Sequence, residues 1–382
     1  MRVLILSLDR ALVNKSGEGD TLKRFQAYKK TCQSLITIVP TNKKSLEKTV
    51  KGVKIIPAYG SNNYLAYWQA YQLAKRVCNK EKIDLIVAND AVLGAMAVWL
   101  RRKSPIKVQI NIFGLEILNK YWLRERIQNI FLKWIQEWAI RRADGFRVDN
   151  EQTKDLLIDH CQIKSQQIVV FPVTPSKKSQ ERFLKALEDK RLKEEMVGKN
   201  NKMILSVGNL VKAKDFITLV NSAKLVAKVC PEAVFVIAGE GPERGKIEKE
   251  IEKRDLKDKV RLLGSVDYSK LPSLFASADV FALSSSHEGF PRVLMEAALS
   301  GKPVVTTAVD GVNDIVEHKR SGIIVLVNNF QGLARGIVSL LTNGKKAKIM
   351  GKRARTRAVK LLDFGKNINK LINSWKQLIN ER

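Results

Sequence analysis

Two glutamates eight residues apart, Glu288 and Glu296, stand where their carboxylates could serve one anionic ligand. The segment 278–302 reads as a buried strand, a polar loop and a helix that begins at Pro291 and closes at Gly301, both common boundary residues. A helix that starts just after a strand directs free backbone amides at the edge of the sheet, where they can bind a diphosphate. Glu288 precedes the helix and Glu296 lies about 7 Å along it.

This spacing suits a site in which one carboxylate meets a sugar and the other meets ribose hydroxyls, with phosphates between them at the helix end. The glutamate pair by itself fits a second interpretation. Glu288 could be a solvated loop residue and Glu296 a residue on the polar face of a helix. The surrounding sequence has to decide between these alternatives.

The chain offers little material for metal or hydrolase chemistry. Its four cysteines are scattered without a C-x-x-C pair, and it has three histidines. We therefore expect neither a disulfide framework, nor a zinc site, nor a Ser-His-Asp triad. The sequence also lacks an Asp-x-Asp pair that could hold a divalent ion against a diphosphate. We predict a site without metal or cofactor, in which helix ends and basic side chains hold the phosphates.

The elements that must position these residues follow an alternating pattern. Short apolar runs alternate with amphipathic stretches, which is typical of α/β layers built on parallel sheets. The first series of expected strands covers 3–8, 34–39, 85–88, 107–112, 145–148 and 168–171. The second covers 203–208, 233–238, 260–263, 280–283 and 303–306. Two Rossmann-like domains are predicted, with ligands at the carboxyl ends of their strands.

The predicted division has four parts. A Rossmann-like domain covers 1–172, a charged linker 173–202, a second Rossmann-like domain 203–363, and a helix that packs back on the first domain 364–382. The linker is inferred from Pro175 and from a run rich in Lys, Glu and Ser that has no long apolar stripe.

Five segments in consecutive order carry a resemblance to a known family. They are VGNLVKAKDF at 207–216, VIAGEGPER at 236–244, RLLGSV at 261–266, LPSLFASADVFALSSSHEGFPRVLMEAALSGKPVVTT at 271–307 and DGVNDIV at 310–316. Together they are similar to the family 4 glycosyltransferases, whose E-x7-E motif the two glutamates match. The resemblance implies the GT-B fold, in which two Rossmann-like domains face a central cleft, and a transfer that retains the anomeric configuration. It places the acceptor with the first domain and the nucleotide sugar with the second.

Carried over position by position, the resemblance implies residue roles. Glu288 would contact the transferred sugar near the reacting carbon and is the catalytic candidate. Glu296 would bind the ribose, Lys214 the diphosphate, and the backbone at Val266 the base. The rest of the donor-binding set is Gly208, Asn209, Gly289, Phe290, Pro291, Arg292 and Val293. Without the motif, Lys214 would be read as a solvated surface lysine.

Two parts of the sequence depart from the family or match it weakly. Asn209 stands where the family usually has an arginine, and a neutral amide cannot give a diphosphate the charged bidentate contact of a guanidinium. We hypothesise that Arg292 compensates. In the first domain, Gly17 and Gly19 could form a glycine-rich loop near acceptor and phosphates. Asn111 begins the segment where members often have a histidine, so no base is named, since the leaving phosphate can serve as one.

The net charge of +30 is spread along the chain, with 37 Lys and Arg against 20 Asp and Glu in residues 1–200 and 31 against 18 beyond. Such an excess favours anionic partners, but it equally serves solubility. Between Trp122 and Arg142 apolar residues mark one helical face, and the mixed charge of the other face favours a helix packed on the sheet. Three tryptophans near basic residues keep a peripheral membrane role open.

These observations lead to one favoured function and two alternatives. We predict a hexosyltransferase that moves a hexose or N-acetylhexosamine from a nucleoside-diphosphate sugar to a sugar or lipid-linked sugar acceptor, for cell-surface polysaccharide or glycolipid. A start without a secretory signal and the lack of a long apolar run predict a cytoplasmic protein, with peripheral binding to the inner membrane face left open. The alternatives are a non-catalytic GT-B partner subunit and a polyanion-binding protein, and the lack of an arginine-rich motif counts against nucleic acid.

Overall fold

The structure is a computed structural model that describes residues 1–13, 20–113, 128–172 and 174–381. The chain divides into two compact units. The first is Met1–Ser176 together with Phe364–Arg382, and the second is Lys177–Asp363.

The described residues of the first unit form an eight-stranded sheet in the order β3-β4-β2-β1-β5-β6-β7-β8. The strands are β1 Arg2–Leu6, β2 Ser34–Thr41, β3 Lys48–Val50, β4 Val53–Tyr59, β5 Leu85–Ala88, β6 Lys107–Ile112, β7 Gly145–Val148 and β8 Ile168–Val170. The helices are α1 Asp20–Lys29, α2 Asn63–Lys80, α3 Ala91–Leu100, α4 Gln128–Ile140 and α5 Glu151–Cys161, with a last helix, Phe364–Asn380, that we term the returning helix. The sheet is parallel except where β3 pairs antiparallel with β4.

The expected strands of this unit are present, and β3 and β4 are additional. The sequence did not predict β4 because that strand contains Pro57. Proline cannot donate a hydrogen bond to a sheet ladder and is confined to edge strands, strand starts and bulges. In the structure Pro57 pairs with Val39 of β2, and β3 pairs only with residues 53–55 of β4. Pro57 therefore lies beyond the end of β3, so β3 needs no hydrogen-bond donor at this position.

The described residues of the second unit form a six-stranded parallel sheet in the order β11-β10-β9-β12-β13-β14. Its strands are β9 Lys202–Val207, β10 Ala233–Ala238, β11 Val260–Gly264, β12 Val280–Leu283, β13 Val304–Thr307 and β14 Ile323–Val325. Its helices are α6 Lys177–Lys185, α7 Lys190–Val197, α8 Phe216–Val229, α9 Arg244–Lys253, α10 Leu271–Ser277, α11 Arg292–Leu299, α12 Val312–Ile315, α13 Phe330–Leu341 and α14 Gly344–Leu361. The short, half-buried edge strand β14 was not predicted.

The strand order reverses once in this sheet, between β9 and β12. The chain adds β10 and β11 on one side of β9 and then returns to add β12, β13 and β14 on the other. In open parallel sheets a ligand binds outside the carboxyl ends of the strands at this point of reversal. The loops that follow β9 and β12 are therefore where a site is expected.

The segment 173–202, expected to be an exposed connector, instead contains α6 and α7. Both helices belong to the second unit, where Phe183 and Val197 lie in the core and Phe183 meets Phe275 edge to face at 5.7 Å. Gln180 Nε2 also donates to the carbonyl of Leu362 at 2.8 Å. The sequence hides this packing because each helix has only a few apolar residues and they form no continuous stripe.

The returning helix lies in the first unit. Its apolar residues recur at helical spacing, and Ile368, Leu371, Ile372, Trp375 and Leu378 are buried in the core there. Trp375 is 1% exposed and packs edge to face against Tyr28 of α1, with 5.2 Å between ring centroids. This unit is thus assembled from two separated parts of the chain.

Candidate functional site

Lys214 and Glu288 form an ion pair at the point where the strand order reverses. Lys214 ends a short 3-10 turn after β9, and Glu288 lies in the loop after β12. Because β9 and β12 are adjacent and parallel, the loops that follow them meet at one edge of the sheet. Lys214 Nζ donates to Glu288 Oε1, and both side chains are largely buried, at 19% and 13% exposed. A lysine and a glutamate that are 74 residues apart in the sequence are thus in contact at one edge of the sheet.

Three serines after β12 hold this arrangement together. Ser285 Oγ donates to Glu288 Oε1 at 2.8 Å, so that one carboxylate oxygen accepts from two side chains. Ser284 Oγ donates to the carbonyl of Lys214 at 3.0 Å, and the Ser286 amide donates to the carbonyl of Ala213 at 2.8 Å. The two loops are therefore tied by both side-chain and backbone hydrogen bonds. The predicted site residues did not include these serines, although the SSS run beside Glu288 is the signal that could have found them.

Glycines let the loop after β9 come close to its neighbours. A Cβ on Gly208 would lie 3.4 Å from Lys214 Cε, so the lysine stem lies against this glycine. At Gly239, with φ of +150°, a Cβ would lie 1.9 Å from the carbonyl oxygen of Gly208. A side chain there cannot be accommodated without moving the backbone. The close approach of Gly208 therefore explains the glycine at position 239 without any contact to a nucleotide.

Helix α11 begins at the same edge of the sheet. Pro291 is its N-cap and Arg292 its first residue, so the proline lies one position earlier than predicted. Phe290 and Pro291 are buried, Gly289 and Val293 are half-buried, and Arg292 is exposed. The first amides of a helix have no intrahelical acceptor, which leaves the start of α11 able to accept an anion. Gly311, with φ of +73°, packs against Phe290, because a Cβ there would lie 2.7 Å from the ring.

Glu296 is buried in α11 and its carboxylate is oriented by a tyrosine. Tyr268 Oη donates to Glu296 Oε1 at 3.1 Å. Tyr268 follows β11 by a few residues, and the half-buried Val266 stands two residues before it. Sequence reasoning did not find Tyr268, because no motif or spacing marks it. Asn209, just after β9, is exposed.

The first unit has a row of polar side chains at the carboxyl ends of β1, β5 and β6. Asn111 Nδ2 donates to Asn89 Oδ1 at 2.7 Å, and Asn89 Nδ2 donates to Ser7 Oγ at 3.1 Å. Gln109 Nε2 completes the row by donating to Asn111 Oδ1 at 3.1 Å. Asn111 is buried and hydrogen-bonded within this row. The predicted loop glycines Gly17 and Gly19 lie outside the described residues.

In the part of the chain that the structure describes, no three His, Cys, Asp or Glu side chains are grouped so that they could hold a metal ion. Over the same residues, no helix is both long and apolar enough to cross a bilayer.

The two units together have the architecture of known glycosyltransferases. The structure matches sucrose-phosphate synthase from Thermosynechococcus elongatus with a TM-score of 0.83 over 100% of both chains, at 18% identity. It matches HepE of Anabaena, solved in complex with UDP, with a TM-score of 0.75 over 99% of this chain and 100% of that one, also at 18% identity. The fold is therefore GT-B.

Two family models and one relative identify the family to which the chain belongs. The model described as Glycosyltransferase Family 4 matches residues 34–173, and the one described as Glycosyl transferases group 1 matches residues 187–357. The UDP-Gal:alpha-D-GlcNAc-diphosphoundecaprenol alpha-1,3-galactosyltransferase of Escherichia coli is 24% identical over 311 residues, which are 80% of this chain and 78% of the relative. The chain belongs to the family 4 glycosyltransferases. The resemblance predicted from the five segments is confirmed.

Proposed function

We propose that this protein transfers a hexose or N-acetylhexosamine from a nucleoside-diphosphate sugar to a sugar acceptor carried on a lipid, with retention of configuration and without a metal ion. The observation that carries the proposal is the Lys214–Glu288 pair at the reversal of strand order, beside the start of α11. It combines a cation and an anion-binding helix end for a diphosphate with a carboxylate next to them.

The side chains divide the work of transfer between them. Lys214, the first amides of α11 and Arg292 would take the charge that grows on the diphosphate as it departs. In the transfer the bond from the anomeric carbon to the phosphate oxygen breaks, and the acceptor oxygen bonds to the anomeric carbon from the same face. The acceptor proton passes to the departing diphosphate. Glu288 would stabilise the sugar while this carbon is electron-deficient, and Glu296, held by Tyr268, would bind the ribose.

The remaining predicted residues have supporting roles in this proposal. Gly208, Gly289 and Phe290 shape the loops around the phosphates, Pro291 and Val293 start α11 beside them, and the Val266 backbone meets the base. Arg292 would replace the guanidinium that Asn209 does not supply. Arg292→Ala is then expected to weaken donor binding, whereas Arg353→Ala, at another exposed arginine, in α14, is not. Equal affinities of the two variants would contradict this role.

The lipid-linked acceptor is supported by the Escherichia coli relative, whose acceptor is a sugar on diphosphoundecaprenol. The use of a nucleoside diphosphate is supported by that relative and by HepE, which was solved with UDP.

The proposal is tested first by the binding of donors. Uridine, guanosine and adenosine diphosphate sugars are added to the wild type, to Lys214→Ala and to Lys212→Ala, and unfolding is followed by thermal shift. A donor at 100 times its Kd should stabilise the wild type by about 2.7 kcal/mol. Lys212 is the matched control, because it is an exposed lysine in the same turn. We expect one nucleotide class to stabilise the wild type and Lys212→Ala but not Lys214→Ala.

Stabilisation by no donor, or equal stabilisation of both lysine variants, would overturn the proposed site. Transfer itself is measured by mass spectrometry of an undecaprenyl-diphosphate-linked N-acetylglucosamine acceptor after incubation with the donor that binds. Glu288→Gln should bind the donor and form no glycosylated product.

A further inference from the structure

We propose that helices α2, α3 and α4 of the first unit form a docking surface for an anionic lipid bilayer, which we term the aromatic face. The described residues include nineteen exposed large apolar side chains, and eight of them lie on these three helices. They are Tyr64, Leu65, Trp68, Trp99, Ile130, Phe131, Trp134 and Ile135. Four of these side chains line a single groove, and clustered apolar exposure of this kind marks an interaction surface.

The sequence pattern predicted that α4 would pack its apolar stripe on the sheet, and the structure differs. The residues of α4 that are buried are Asn129, Ala139 and Ile140. Trp134 is 67% exposed and Phe131 63%, although both lie on the predicted apolar stripe. The helix packs against α3 and is buried near both of its ends, while Phe131 and Trp134 face outward. The half of the stripe before residue 128 lies outside the described residues.

The three helices enclose a groove of about 690 Å³ whose walls are mainly aromatic. Trp68 and Tyr71 come from α2, Trp99 from α3, and Trp134 and Trp138 from α4. Tryptophan and tyrosine are the residues that concentrate at the headgroup level of a bilayer, because one end of each ring is apolar and the other is polar. The composition of the groove therefore fits a membrane interface better than an ordinary protein core.

Charge identifies the kind of bilayer. The segments 63–80, 91–103 and 128–142 carry three basic residues each, and Glu137 is their one acidic residue. Each helix precedes a parallel strand, so the three run in the same direction. Lys80 lies in the last turn of α2, and the pairs 101–102 and 141–142 directly follow α3 and α4, so these basic residues lie at one end of the aromatic face. Arg102 stacks on Trp99 with its Cζ 4.3 Å from the ring, and Arg142 stacks on Trp138 at 5.0 Å. Basic groups beside interfacial aromatics are complementary to anionic headgroups.

The test is flotation of the full chain with vesicles of phosphatidylcholine alone and of phosphatidylcholine with phosphatidylglycerol. We expect binding to the anionic vesicles only. Trp68→Gln combined with Trp134→Gln should lower the partition coefficient about tenfold, because two interfacial rings are lost. The matched control, Leu46→Gln with Leu187→Gln, removes two exposed apolar side chains elsewhere and should bind like the wild type.

A second pair of variants separates this face from the diffuse charge of the chain. Lys75→Gln with Arg76→Gln removes two exposed charges of α2, and Lys345→Gln with Lys348→Gln removes two exposed charges of α14. The first pair should weaken binding about tenfold and the second much less, since headgroup attraction acts only near the surface. Equal weakening by both pairs, or equal binding of the tryptophan and leucine variants, would overturn the proposal.

Two further outcomes would also overturn it. One is a concentration-dependent dimer that the tryptophan variant abolishes, together with no vesicle binding, because the face would then bind a second copy. The other is tryptophan emission that lipids brominated near the headgroup do not quench. Circular dichroism of each variant checks that the helices are intact, so that a loss of binding is attributable to the surface.

Discussion

At the scale of single residues, the candidate site is a set of side chains that hold one another in position. Lys214 and Ser285 both donate to one oxygen of Glu288, and Tyr268 donates to Glu296. Because these carboxylates are ordered before a ligand binds, less binding free energy is spent on ordering them. The partners of the glutamates should therefore matter for affinity even where they touch no substrate.

Tyr268→Phe tests this at the ribose side. The variant removes the hydroxyl that orients Glu296 and keeps the ring, and Tyr268 is 38% exposed, so stability should hardly change. We expect the donor Kd to rise about tenfold, as for the loss of a hydrogen bond to a charged group. Isothermal titration measures the change. Tyr59→Phe, at a tyrosine 40% exposed in the first unit, is the control, and a Tyr268→Phe Kd equal to the control would refute the orienting role.

At the scale of elements, the loops after β9 and β10 depend on a glycine. Gly239→Ala would place a Cβ against the Gly208 carbonyl, and we expect it to lower the free energy of unfolding by about 2–3 kcal/mol. It should also weaken donor binding, because Gly208 lies against Lys214. Gly245→Ala is the matched control in α9, where a Cβ meets nothing within 4 Å. That change should not lower the free energy of unfolding, because its Cβ meets no neighbour, and urea unfolding that ranked the two variants the other way would disprove the packing role.

The start of α3 gives a pH-dependent prediction. Asp90 caps this helix by accepting from the Leu93 amide at 2.6 Å, and desolvation by burial raises the pKa of its carboxyl above the ordinary value. A pKa that is higher in the folded protein means that the carboxyl stabilises the fold while it is protonated and that this stability is lost as the pH rises through the folded pKa. Asparagine keeps the cap without the charge.

We therefore expect Asp90→Asn to raise the free energy of unfolding at pH 7, with a gain that vanishes as the pH falls to about 3.9, the ordinary value for aspartate. Thermal melts across this pH range measure it. The control is Asp189→Asn at the cap of α7, where the residue is exposed and its carboxylate accepts from the Leu192 amide at 3.0 Å. A gain that grew at low pH, or that the control matched, would exclude desolvation of Asp90 as its cause.

The elements also show how far sequence could lead. Apolar runs gave most strands of both sheets, because buried parallel strands read as continuous apolar segments. They did not predict β4, because that strand contains Pro57, or α6 and α7, because each of these helices buries few residues. Motif resemblance assigned Lys214 and Glu288 to one donor site but did not predict their ion pair. Tyr268 could not be predicted, because its contact depends on how β11 and α11 approach one another. Exposure of the α4 stripe depends on which helix α4 packs against, and periodicity does not encode that.

At the scale of the whole molecule, the first unit depends on a helix from the far end of the chain. Trp375 is buried against Tyr28, so Trp375→Ala should lower the free energy of unfolding of this unit by about 3–5 kcal/mol. The proposed donor site lies in the second unit, which does not include Trp375, so stabilisation by the donor should persist. Denaturation followed by circular dichroism, with and without donor, measures both effects. Trp134→Ala is the control with an exposed ring, and an equal loss of stability from it would contradict the prediction.

The path of the chain between the two units also sets an order of events during synthesis. The second unit, Lys177–Asp363, is one continuous stretch, and the returning helix follows it. While a ribosome is still translating the second unit, the strands of the first have left the exit tunnel but lack the helix that covers their core. The apolar surface of the nascent first unit therefore stays exposed until the returning helix has been synthesised. Chaperones that bind exposed apolar surface would bind this unit rather than the second.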